Sequence, residues 1–152
     1  SRGGAWRHVP GTRHARRVTA ATPCAIGGPA RGHPLLRTRD DPAGTTVLGT
    51  LNNCAGGQTP WGSFLTAEEN VDDFFGGGGS LARADAALRE AHRRMPPREA
   101  GRHGWEHVER RFDLAAEPGE MLRFGWIVEI DPLDPSSAPV KRTALGRFKH
   151  EC

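Results

Sequence analysis

The alternation of apolar and polar positions predicts strands in well-separated parts of this chain. TTVLGTL, from Thr45 to Leu51, is β-branched and apolar and follows a DPAG turn, so it predicts a strand. GSFLTAEE has period two, with Ser63, Leu65, Ala67 and Glu69 on one face and Phe64, Thr66 and Glu68 on the other. FGWIVEIDP, bounded by Gly125 and Pro132, sets Ile127, Glu129 and Asp131 against Trp126, Val128 and Ile130. PVKRTALGRFKHE resumes the strand pattern; a regular strand there puts Arg147, Lys149 and Glu151 opposite Phe148 and His150. RRVTAATP reads as a short strand running into a turn at Pro23. The helical period appears in LARADAALREAHRRM, where Leu81, Ala84, Leu88 and Ala91 share a face. Ser80 is its expected N-cap, Arg93 and Arg94 suit its C-terminal dipole, and Pro96 with Pro97 stop it. The pattern predicts a mainly β chain with one helical insertion near residues 80–95.

Between these runs lie breakers. GGPARGHPLLRTRDDPAG has Gly or Pro every few residues, NNCAGGQTPW reads as the turn joining two strands, and DPLDPSSAP reads as a surface turn. GGGGS at 76–80 predicts a flexible loop or an expendable insertion. Composition agrees with turn-rich β structure: 152 residues, one domain's worth, contain 20 Gly, 12 Pro and no Tyr, and only 36% are hydrophobic, so a thin core is expected. The net charge is +3, but residues 1–60 hold eight Arg against two Asp. No aromatic interleaving or binding motif accompanies those arginines, so no nucleic-acid partner is expected. Three cysteines, Cys24, Cys54 and Cys152, form neither a disulfide framework nor a metal knuckle. No apolar run approaches ~18 residues, which predicts no membrane-spanning helix, and the N-terminus carries no signal-peptide core.

The candidate chemistry lies in carboxylates at strand ends: Glu68 with Glu69, Glu129 with Asp131, and Glu151 beside His150. Hard cations need several oxygens converging from different segments, and strand ends can supply them. Arg147 or Lys149 would neutralise negative charge developing on a phosphoryl group. Period two opposes the simplest version, because Glu68 and Glu69 face opposite sides unless a bulge or the strand end re-aims one. An isolated acidic residue at a strand end is most often solvated or caps a turn. Glu129 stands out because apolar residues flank it, and a buried carboxylate needs a partner. Cys54 has no histidine placed by the sequence to activate it, so a buried small residue near a turn is expected there. His8, His14, His33, His92, His103 and His107 sit in basic or loop surroundings and are expected to be exposed; His150 alone is singled out.

GTLNNCAGGQTPWGSFLTAEEN, RFDLAAEPGE, RFGWIVEIDPLDP and PVKRTALGRFKHE resemble the PhoX-type alkaline phosphatase family. With WRH, ARRVTA and GPARGHPLLRT, the similar blocks cover about half the chain. The resemblance implies a β-propeller that is exported by a twin-arginine signal, periplasmic or secreted, and hydrolyses small phosphate monoesters with an iron and calcium cluster near the propeller axis. It implies that Glu68, Glu69 and Glu151 are metal ligands or their neighbours; Glu129 stands beside them as a metal candidate from the strand pattern alone. Arg147, Lys149 and His150 become catalytic candidates in the KHE block. Two departures stand out. Where the family has a cysteine that ligates iron, in LTCEEN, this chain has Ala67, which has no donor atom. The family pattern also continues past the KHE block into further blades. The expectation is therefore an N-terminal fragment, a partial β-propeller of one to two blades, inactive alone, whose partners are a phosphorylated substrate and the remaining blades. The alternative is a non-catalytic propeller-type binding protein that has lost the iron-ligating cysteine.

Overall fold

A computed structural model of the chain describes residues 9–149. Its strands are β1 (Pro23–Gly27), β2 (Thr46–Leu48), β3 (Asn53–Gln58), β4 (Phe64–Glu68), β5 (Ile127–Ile130) and β6 (Val140–Arg142). They form one open sheet in the order β2-β1-β6-β5-β4-β3. β1 runs parallel to β6, and the other neighbours are antiparallel. The chain is mainly β, as the pattern predicts, but two strands come from segments the pattern assigns to turns. PCAIG becomes β1: its proline takes the first strand position, where no ladder N–H is needed, and Cys24 and Ile26 point into the core. NCAGGQ becomes β3 because β4 offers a partner, with Gly56, Gly57 and Gln58 opposite Thr66, Leu65 and Phe64. A Cβ on Gly56 would sit 2.5 Å from the Leu65 carbonyl oxygen, so the low strand propensity of glycine yields to the close approach it permits. β2 is shorter than its apolar run because Gly49, at φ 96°, turns the chain.

One face of the sheet is packed. Cys24, Ile26, Val47, Val128, Glu68 and Lys141 are buried on it, beneath a layer built from short 3-10 turns. That layer brings in Phe75, Phe112 and Phe124, with Phe75 ring centroids 5.1 Å from Phe112 and 5.7 Å from Phe124. The predicted helix is shorter than its pattern. α1 spans Ala86–His92, and its N-cap is Asp85, whose carboxylate accepts the Leu88 N–H at 2.8 Å. Ser80 instead donates its hydroxyl to the Gly77 carbonyl at 2.7 Å, inside the 3-10 turn Gly78–Arg83. The glycine run is not a loose tether. Gly76 N–H donates to Phe112, Gly77 to Glu99 and Gly78 to Arg98, and a Cβ on Gly78 would lie 2.6 Å from the Arg98 carbonyl oxygen.

Charged groups make up for the shortage of apolar side chains. Arg123, 2% exposed, donates to the Leu36 carbonyl at 3.1 Å and the Thr38 hydroxyl at 2.8 Å, and pairs with Asp41 and Glu120. Arg111 holds the carbonyls of Leu48 and Ala20. Each guanidinium has five fixed donors, so one buried arginine satisfies several loop carbonyls that would otherwise lack partners. Burial pushes the Glu120 carboxyl up, against the pull of Arg123 and Arg111.

Candidate functional site

The acidic end of β4 and the basic arm at 147–149 meet. After Glu68 the backbone enters the left-handed region at Asn70, φ 46°, and a 3-10 turn over Val71–Phe74 folds Asp72 and Asp73 inward. Both aspartates are buried. Lys149 Nζ lies 3.5 Å from Asp72, Arg98 reaches both aspartates at 3.3 and 2.7 Å, and Arg102 lies 3.4 Å from Asp73. Three part-exposed cations thus surround two buried carboxylates, leaving surplus positive charge at the surface. Arg94, Met95, Arg147, Phe148 and Lys149 line a pocket of ≈ 280 Å³ on this side. The adjacent acids of VDDFF are the one local signal for Asp72, Asp73, Arg98 and Arg102, and nothing local places arginines twenty-five and more residues away against them.

The two glutamates of β4 have separate environments, as period two requires. Glu68 is fully buried. One carboxylate oxygen accepts from Lys141 Nζ at 2.8 Å and the Leu51 N–H at 3.2 Å; the other accepts from the Gly125 and Trp126 N–H groups at 2.9 and 3.0 Å. Lys141 is likewise buried, stands 3.8 Å over the Phe124 ring and donates to the Arg123 carbonyl; burial lowers its pKa, with Glu68 opposing. Glu69 lies nearer the surface, where its backbone N–H donates to the Asn52 carbonyl at 3.2 Å and its carboxylate accepts from the Asn70 amide at 2.9 Å. Ala67 shares the opposite sheet face with Leu65 and Ile127.

Glu129 does have partners. It accepts hydrogen bonds from the Ser63 hydroxyl, from Trp61 Nε1 at 2.8 Å and from the Arg142 guanidinium. These donors, Ser63 first, hold its carboxyl well below the usual range, at about 2. Arg147 is not a free surface cation: it donates to the carbonyls of Phe124 at 2.7 Å and Met121 at 3.0 Å, and burial brings it down to about 10. Residues 146–149 are irregular rather than a strand, so alternation does not govern where their side chains point. His150 and Glu151 lie outside the described residues. His92 is buried, contrary to its surroundings in sequence, with Nε2 2.9 Å from the Pro118 carbonyl oxygen.

Among the described residues no group of three or more histidines, cysteines, aspartates and glutamates converges as a metal site would require. Glu68 has two donors on each oxygen, Glu129 is occupied by Arg142, Ser63 and Trp61, and Ala67 has no donor. The described donors therefore do not by themselves fit a calcium or iron ion. What they do offer is a cationic surface beside a pocket, suited to an anionic group.

A profile of the family Alkaline phosphatase PhoX matches residues 1–152. Among solved structures, Pseudomonas fluorescens PhoX in complex with vanadate, a transition state analogue, is similar with a TM-score of 0.87 and 49% sequence identity, over 98% of this chain and 25% of that one. The chain thus spans about a quarter of the length of that structure. No curated protein matches it.

Proposed function

This chain belongs to the PhoX alkaline phosphatase family, and from that premise we propose that it is the N-terminal part of a phosphatase acting on small phosphate monoesters, incomplete and inactive alone. The observation that carries the reading is the 49% identity over 98% of the chain to a protein whose structure holds vanadate, an analogue of a phosphoryl-transfer transition state. Within the whole protein the open sheet would be one to two blades' worth of a β-propeller, continued by blades that pair its edges, in a periplasmic or secreted enzyme. Calcium and iron belong to this reading as the family's metals, with Glu69 and Glu151 as the acidic residues this chain would bring toward them. The described donors do not enclose an ion, so no step is assigned to one. The chain's own contribution is cationic: Lys149, backed by Asp72, and Arg98 would attract the phosphate dianion to the rim of the pocket, and Arg147 would hold that rim in place.

The test is a chimera in which this chain replaces the matching quarter of Pseudomonas fluorescens PhoX, assayed with p-nitrophenyl phosphate and added calcium and iron. Metal-dependent turnover that falls on Glu151→Gln supports the reading; absence of turnover in a folded chimera overturns it. Ala67 favours a second reading, a non-catalytic propeller-type binding protein. Ala67→Cys separates the two: a thiol that raises bound iron and turnover in the chimera argues that an enzyme site lacks one donor, whereas a chimera that binds phosphorylated ligands without turning them over, with or without the thiol, favours the binding protein.

A further inference from the structure

Glu68 has more hydrogen-bond partners than a stabilising ion pair needs, and they come from three separate segments. Lys141 is on β6, Leu51 precedes β3, and Gly125 with Trp126 precede β5. Gly125 is the informative partner. Its N–H donates to Glu68 Oε2 at 2.9 Å, and its carbonyl accepts the Phe148 N–H at 3.1 Å. It sits at φ 86°, a conformation that glycine reaches without the steric cost other residues meet, and its two hydrogen bonds hold the peptide units on its two sides in one relative orientation. The adjacent Phe124 carbonyl accepts from Arg147 Nε at 2.7 Å, and the Phe124 ring lies under Lys141. A continuous path thus runs from the buried carboxylate through one glycine to the arm that carries Lys149.

We propose that Glu68 is a positioning residue, which fixes the Arg147–Lys149 arm against the end of β4 through Gly125 and does not ligate a cation. Each of its oxygens already has two donors, and both partners of the ion pair are fully buried. Taking a cation would strip Lys141 of its counter-charge in the core and leave three backbone N–H groups without an acceptor. The carboxylate nearer the surface at this strand end is the neighbouring half-buried Glu69, while Glu68 sets the distance between it and the arm. The functional weight of the arm rests on the phosphatase reading; the placement itself does not.

The placement is tested without an activity assay, by amide hydrogen exchange on the 152-residue chain. In Glu68→Leu/Lys141→Met the buried pair becomes apolar at similar volume, a change that commonly preserves folding. Exchange at Gly125, Trp126 and Phe148 should quicken at least about tenfold, while Ala25 and Ile26, bonded to Pro139 and Thr45, keep their protection. Unchanged protection at Phe148 in the folded variant overturns the proposal. Should that variant not fold, a calcium titration of the unmodified chain decides: the Leu51, Gly125 and Trp126 amide resonances should stay in place at millimolar calcium, and their displacement overturns it.

Discussion

At the residue scale, the chain's chemistry is governed by which polar groups are buried with partners. His92 is buried with its Nδ1 lacking a partner, and burial lowers its pKa below 6.5, with Pro118 pulling upward and Arg147 adding to the fall. A histidine whose pKa is lower in the fold than in the unfolded chain takes up its proton preferentially on unfolding. Its contribution is fully present above pH 6.5 and is lost as pH falls from there through the folded value. Urea midpoints measured between pH 7.5 and 5 should fall with acid, and His92→Gln should flatten that dependence. Glu129 acts at lower pH: its pKa is held at about 2 against 4.5 unfolded, so its contribution is present above 4.5 and is lost as pH drops toward 2. Gly49 is constrained by space as well as by conformation. At φ 96°, its Cβ would sit 2.0 Å from the Ala20 carbonyl oxygen, so Gly49→Ala should cost more than about 2 kcal/mol by thermal denaturation. Ala67 was the informative departure legible at this scale, because a missing donor atom is a fact of composition. The occupation of Glu68 was not legible, because its partners lie 17, 57, 58 and 73 residues away.

At the element scale, periodicity located β2, β4, β5, β6 and the helix and misplaced their ends. Period two also separated the faces correctly: Val128 is buried while Glu129 lies on the other side of the sheet. β1 and β3 escaped because their residues have low strand propensity and acquire strand geometry only from a neighbour's ladder. The glycine run escaped for a related reason: glycine signals freedom locally, but it is also the residue that allows two backbones to touch. That difference is measurable. Gly78→Ala, which meets backbone oxygen atoms at 2.6 and 2.8 Å, should lower the unfolding free energy in urea by about 1–3 kcal/mol, whereas Gly57→Ala, with nothing within 4 Å, should stay within about 0.5 kcal/mol. An expendable linker predicts no loss at either position. Breaking the β4–β6 link from one side gives a further value: Lys141→Met alone leaves Glu68 buried without its counter-charge and should cost about 3–5 kcal/mol by urea denaturation.

At the scale of the whole molecule, the sheet is open at β2 and β3 among the described residues, and its second face is only partly covered there, with Trp61 72% and Leu145 52% exposed. Unpaired strand edges template association. Sedimentation of the isolated chain should show concentration-dependent self-association, and Gly57→Lys, which puts a charge on the β3 edge, should reduce it without moving the thermal midpoint.

The sequence by itself determined the family, because long ordered blocks of rare residues survive in it, and it determined the strand faces, because period two is a local property of the backbone. Tertiary structure alone decided which carboxylates have partners. Lys141 reaches Glu68, Arg142 reaches Glu129 and Lys149 reaches Asp72 only after distant strands are brought into register, and burial energetics act on the folded neighbourhood rather than on the order of residues.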